Sequence, residues 1–71
     1  MERFLRYSLA HGRKIRVMLL WEGALAQRTV TVLALEPECV TLREGTRKPP
    51  FTVAWGDILS CAYARGDHGE E

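Results

Sequence analysis

The sequence has 71 residues, of which 46% are hydrophobic and 27% are charged, and its formal net charge is +1. This composition is typical of one small globular domain and excludes a disordered or fibrous chain. The longest apolar run, residues 17–21, is far shorter than the ~20 residues of a membrane-spanning helix. No secretory leader pattern follows Met1, so we expect a cytoplasmic protein without membrane contact.

The chain is predicted to form one domain over residues 1–64, followed by a short tail. Residues 65–71 include Asp67, Glu70 and Glu71 and lack an apolar anchor. Terminal segments of this kind are usually poorly ordered unless side chains hold them. We therefore expect a flexible acidic tail.

A short amphipathic helix is predicted over residues 2–11. Leu5 and Leu9 are four residues apart on one side of the helical wheel, with Phe4 and Ser8 alongside, while most charged side chains fall elsewhere. Gly12 follows, and glycine readily adopts the left-handed conformation that ends a helix. Because so short a helix is unstable alone in water, we expect it to pack on the strands that follow.

Five strands are predicted after the helix, over residues 15–21, 27–35, 39–44, 51–55 and 58–63. Alternating apolar and polar residues, together with many Val, Ile and Thr residues, favour strands over helices. Turn signals separate the strands at Glu22-Gly23, at Pro37, in the loop 45–50 and at Gly56-Asp57. Five short strands fit a small SH3-like barrel better than a sandwich, which usually has about seven.

Four segments of the chain together resemble the WYL domain: residues 5–17 (LRYSLAHGRKIRV), 27–35 (QRTVTVLAL), 40–42 (VTL) and 51–58 (FTVAWGDI). That family has a short helix followed by an Sm-like, SH3-type barrel, and it usually occurs in bacterial regulators of transcription, phage defence or CRISPR systems. The resemblance implies a mainly β fold, a small five-stranded barrel of the Sm/WYL type with a short N-terminal α-helix. It also implies bacterial origin and ligand sensing, with nucleic acid among the ligands.

The residues by which the family is usually recognised as a ligand sensor are not kept. Residues 40–42 stand at the place of the Trp-Tyr-Leu signature, and residues 54–57 stand where the family tends to have arginines. The plan is also similar to that of Sm-like RNA-binding rings, but their base-binding loop pattern is missing. The ligand-contact residues of the family therefore cannot be assigned to matching residues of this chain. The 71 residues hold no helix-turn-helix pattern, so we expect a role in transcription to require another chain.

No motif in the sequence points to catalysis or metal binding. Cys39 and Cys61 lie in apolar, strand-like contexts without a CxxC pair, and His11 and His68 lie near opposite ends of the chain. We expect two free, largely buried thiols, because cysteine commonly packs as a small apolar side chain. We predict no catalytic residue, no metal, no cofactor and no enzymatic activity.

The leading hypothesis is a non-catalytic interaction module that acts through a protein partner or through self-assembly into a homo-oligomer. It rests on more large apolar side chains than one small core obviously needs. The predicted interface residues are Met18, Leu20, Trp21 and Trp55.

The alternative hypothesis is a nucleic-acid-binding regulatory protein of the Sm-like or WYL-like type. Its predicted contacts with nucleic acid or another ligand are Arg13, Lys14, Arg28, Arg43, Arg47 and Lys48. Cations of this kind could follow a phosphate backbone. The near-neutral total charge favours a solubility role for them, because dedicated nucleic-acid binders are usually strongly basic. The pattern identifies no small-molecule ligand.

Overall fold

A computed structural model of the chain describes residues 1–69. The elements are α1 (Glu2–His11), β1 (Ile15–Trp21), β2 (Ala24–Leu35), β3 (Cys39–Arg43), β4 (Phe51–Ala54) and β5 (Ile58–Tyr63), with a 3₁₀ turn at Trp55–Asp57. The predicted mainly β fold with five strands and a short N-terminal helix is confirmed. The bounds of α1, β1 and β5 agree with those predicted, whereas β2 begins three residues before the predicted position 27.

The strands form one antiparallel sheet in the order β4-β3-β2-β1-β5. The strands β4 and β5 follow each other in sequence but occupy the two opposite edges of the sheet. Only the 3₁₀ turn at Trp55–Asp57 separates them. The sheet must therefore curl until its edges approach each other at this corner, which is the geometry of a small SH3-like barrel.

Two irregularities in the strand register allow the sheet to curl. One lies between Met18 and Leu19, where the pairing of β1 with β5 shifts. The other lies between Val32 and Ala34, where the pairing of β2 with β3 shifts. An extra residue in one strand increases the local twist and bends the strand.

The early start of β2 follows from the turn before it. Glu22 and Gly23 have φ values of 52° and 81°. Two successive positive φ values define the two-residue hairpin turn whose twist matches that of the strands beside it. The turn places Trp21 opposite Ala24, so pairing continues to the end of the hairpin.

Among residues 1–69, the core contains ten buried apolar side chains, which lie at alternating positions of the strands and on α1. They are Leu5, Ile15, Val17, Leu19, Val30, Val32, Val40, Leu42, Val53 and Ile58. Nine of the ten come from strands, as the alternating pattern predicts.

The helix α1 packs mainly on β2, with Leu5 fully buried. The predicted apolar side of the helix is partly wrong, because Leu9 is 41% exposed. Phe4 packs inward, as predicted, and Tyr7 packs inward in place of Leu9. Their rings lie 4.7 and 5.2 Å from the ring of Tyr63 on β5, with the edge-to-face geometry that aromatic pairs prefer.

The described part of the predicted tail contacts the domain. The Asp67 amide donates a hydrogen bond to the Ala64 carbonyl at 2.9 Å and closes a turn. The Tyr7 hydroxyl lies 2.9 and 3.0 Å from the two carboxylate oxygens of Asp67. Glu70 and Glu71 lie outside the described residues, and the flexibility of the tail stays a prediction.

Candidate functional site

An apolar surface covers the outer side of the sheet near the β1–β2 turn. We call it the apolar face and define it by Met18, Leu20, Leu25 and Leu59. Leu20 and Leu25 are direct cross-strand partners and are 37% and 66% exposed. Met18 lies two positions before Leu20 and therefore on the same side of β1, where it is half-buried. Leu59 is 47% exposed and lies at the irregularity where β5 passes Met18.

Uncharged residues also lie beside the apolar face. The cross-strand partners of Met18 are Gln27 on β2 and Ser60 on β5. The surface therefore combines large apolar side chains with neutral polar ones, and the exposed Arg16 lies at its border, two positions before Met18 on the same side of β1.

Two of the four predicted interface residues lie on the apolar face, and both tryptophans lie elsewhere. Trp55 begins the 3₁₀ turn and packs against the core, and its indole N–H donates a hydrogen bond of 2.6 Å to the Glu36 carbonyl. Trp21 is 40% exposed, and its ring packs edge-to-face on Phe51 with 5.1 Å between the ring centroids.

Trp21 lines a cleft that we call the aromatic cleft, with a volume of about 300 Å³. Its lining consists of Trp21, Arg28, Glu44, Lys48, Pro49, Pro50 and Phe51. The Arg28 Nε lies 3.0 Å from one carboxylate oxygen of Glu44, and the Lys48 Nζ lies 3.1 Å from the other. One carboxylate therefore pairs with two of the predicted phosphate-binding cations.

Arg13 and Lys14 line a different cleft, between the turn after α1 and the start of the tail. We call it the basic cleft; it measures about 510 Å³ and is lined by Gly12, Arg13, Lys14, Ala64, Arg65, Gly66, Asp67 and His68. Arg43 lies on β3 opposite Thr31, and Arg47 is exposed in the loop before β4. The six predicted cations therefore do not line one cleft.

Neither cysteine environment favours a thiolate. Both thiols are free and half-buried. Burial raises the pKa of the Cys39 thiol, and a hydrogen bond to the Glu36 carboxylate raises it further. Burial likewise raises the pKa of the Cys61 thiol. Because the thiolate is the nucleophilic form, the geometry provides no activated thiol at neutral pH.

Residues 1–69 hold no group of three or more His, Cys, Asp or Glu side chains arranged to bind a metal ion. Within the same part of the chain, no helix has the length and apolar character needed to cross a bilayer.

Sequence patterns did not identify Leu25, Leu59, Arg65 and His68 as site residues. Leu25 could have been found from the Glu22-Gly23 signal, because a two-residue turn after Trp21 places Leu25 opposite Leu20. The other three had no local signal. Leu59 is exposed at a register irregularity, and Arg65 and His68 reach the basic cleft only through the tertiary structure.

Comparisons with models of protein families, with curated proteins and with solved structures find no match for this chain. Its class therefore follows from the fold and the surface. It is a small mainly β domain, with a curled five-stranded sheet, an N-terminal helix and an exposed apolar face.

Proposed function

We propose that this chain is a non-catalytic interaction module of the small-barrel type that assembles with a second copy of itself through the apolar face. The observation that carries the proposal is the direct cross-strand pair of Leu20 and Leu25, both exposed on the outer side of the sheet. Large contiguous apolar patches are uncommon on the surfaces of monomeric proteins and mark contact sites.

A second copy is the partner that the chemistry of the apolar face favours. A twofold interface joins the same surface on both chains, so the surface must be complementary to itself. Apolar side chains satisfy this condition, whereas a charged surface would repel its copy. None of the four residues of the apolar face is charged. Gln27 and Ser60, the cross-strand partners of Met18, are also uncharged.

The test is the mass of the full chain in solution, measured by light scattering and by sedimentation over a range of concentrations. The wild-type chain should form dimers as its concentration rises. Leu25→Lys should remain monomeric, because a buried and unpaired ammonium group opposes association. Leu9→Lys is the matched control, since Leu9 is 41% exposed on α1, outside the apolar face.

Circular dichroism should show that both variants are folded before their masses are compared. A wild-type chain that stays monomeric at the highest concentration would overturn the proposal. Equal weakening of dimer formation by Leu25→Lys and Leu9→Lys would also contradict the proposal, because the loss would then not be specific to the apolar face.

The proposal includes kinship with Sm-like and WYL-like barrels and an origin in the bacterial cytoplasm. The strand order β4-β3-β2-β1-β5 behind a leading helix supports the kinship. Two free thiols support a reducing compartment. The nucleic-acid alternative has less support, because Glu44 already pairs with Arg28 and Lys48.

A further inference from the structure

The basic cleft brings two distant parts of the sequence together. Arg13 and Lys14 come from the turn after α1, and Arg65 and His68 come from the segment after β5. Its volume of about 510 Å³ lies within the range of small-molecule sites.

The cleft carries an excess of positive charge. Three cationic side chains, Arg13, Lys14 and Arg65, face one carboxylate, Asp67, which leaves a net charge of +2 with His68 neutral. Within residues 1–69, no carboxylate lies within ion-pairing distance of the three cations. By contrast, Arg28 and Lys48 are both paired with Glu44.

Other hydrogen bonds already engage the one carboxylate of the cleft. Asp67 accepts hydrogen bonds from the Tyr7 hydroxyl at 2.9 and 3.0 Å and from the Gly69 amide at 2.9 Å. The Gly69 amide is the largest cause that lowers the pKa of Asp67, followed by the Tyr7 hydroxyl and the nearby positive charge of Arg13. Asp67 therefore holds the segment in place through donors that are neutral.

The C-terminal end of α1 lies beside the cleft and weakens its electrostatic attraction for an anion. The C-terminus of a helix carries a partial charge of about −0.5, and Gly12 in the cleft follows the last residue of α1. This partial charge is about a quarter of the net charge of the cleft and opposite in sign. The cleft therefore remains attractive to an anion.

We propose that the basic cleft binds the phosphate group of a small phosphomonoester, with Arg13, Lys14 and Arg65 as its cationic contacts. A phosphomonoester carries a charge of about −1.5 to −2 at neutral pH, which the net charge of the cleft balances. Arginine binds such groups with paired hydrogen bonds. The site is independent of the proposed self-association, because none of its residues lies on the apolar face.

The arrangement favours a small ligand over a polynucleotide. A nucleic-acid backbone carries one charge per phosphate, and its binding usually needs several cations along a track. Here three cations without an ion-pair partner among residues 1–69 converge from two segments on one cleft. Arg28 and Lys48 line a separate cleft and share Glu44.

The test is a titration of the ¹⁵N-labelled full chain, followed by NMR spectra of its backbone amides. The probes are glycerol 3-phosphate, inorganic phosphate and a short oligothymidylate that lacks terminal phosphates. Both small phosphates should cause saturable shifts at Gly12, Arg13, Lys14 and Gly66. Arg65→Glu should weaken binding by at least about tenfold, because it replaces a charge-assisted contact with repulsion. Lys14→Glu should act in the same direction.

Arg47→Glu is the matched control, because it makes the same charge change at an exposed loop residue outside the cleft. It should leave the affinity within about twofold of wild type, because Arg47 does not line the cleft and salt screens the interactions of exposed charges. Dispersed amide spectra will show that each variant is folded.

Three results would overturn the proposal: the absence of saturable shifts at millimolar phosphate, equal weakening by Arg47→Glu and Arg65→Glu, or tighter binding of the oligothymidylate than of glycerol 3-phosphate. The last result would assign the cleft to nucleic acid instead.

Discussion

The hydroxyl of Ser8 accepts a hydrogen bond of 2.9 Å from the amide of Val32 and thereby joins α1 to β2. The same hydroxyl donates a hydrogen bond of 2.5 Å to the carbonyl of Arg13. Ile15 pairs with Val30, so extending this register by two residues would place Arg13 opposite Val32. Ser8 therefore links two backbone groups just beyond the end of the β1–β2 ladder.

Ser8→Ala should destabilise the domain by about 1–3 kcal/mol, because both backbone groups lose their hydroxyl partner at a fully buried position. The measurement is the free energy of unfolding from urea denaturation. Ser60→Ala is the control, since Ser60 is exposed on β5, and it should change stability by less than about 0.5 kcal/mol. Equal losses in the two variants would contradict a bridging role for Ser8.

Leu5→Ala should lower the free energy of unfolding by about 2–5 kcal/mol, because Leu5 is fully buried between α1 and the sheet. Leu9→Ala, four residues further along the same helix, should have a much smaller effect, since Leu9 is 41% exposed. Thermal unfolding of both variants under identical conditions provides the comparison. A larger loss from Leu9→Ala would mean that the helix packs through its other side.

Glu22→Asn should stabilise the domain by about 0.5–1 kcal/mol. Glu22 has a φ of 52°, which a residue with an ordinary side chain rarely adopts, and Asn-Gly is a preferred pair for this turn. Glu22→Ala is the control, because alanine also removes the charge but does not favour positive φ. A gain of equal size from alanine would attribute the effect to charge rather than to backbone conformation.

Asp67 should make the stability of the domain dependent on pH. Its pKa is lowered in the folded chain, so its ionised form favours folding. This contribution is fully present above the unfolded pKa of about 3.9 and is lost as the pH falls through the lower, folded pKa. Asp67→Asn should therefore unfold more easily than wild type at pH 7, and the difference should shrink in strong acid.

Tyr7→Phe should cause part of the loss of stability that Asp67→Asn causes at pH 7. It removes the hydroxyl that donates to Asp67 while keeping the ring beside Tyr63. The measurement is the midpoint of urea denaturation at a series of pH values. A constant difference between wild type and Asp67→Asn across the whole series would contradict the role assigned to the carboxylate.

Both thiols should react slowly with iodoacetamide at pH 7 in the folded chain and faster in urea. Burial is the largest cause that raises the pKa of Cys39 and of Cys61, and unfolding removes it. Mass spectrometry of the modified chain measures the two rates. Rapid modification of either cysteine in the folded chain would contradict the protection that burial is expected to give.

The sequence by itself determined the secondary structure closely, because local preferences control it. Alternating apolar residues, β-branched side chains and Gly-containing turns predict Ile15–Trp21 and Ile58–Tyr63 with their observed bounds. Gly12 ends α1 with a φ of 64°, in agreement with its predicted role as the helix cap.

Only the tertiary structure decided which side chains share a surface. Arg13 and Arg65 meet in one cleft because the helix and the segment after β5 pack at the same end of the sheet. Trp55 packs against the core because the 3₁₀ turn between the edge strands directs its indole toward Glu36. A side chain's neighbours across the fold depend on the curl of the sheet and on the docking of the helix. Hydrophobic periodicity within one strand or helix carries no information about either.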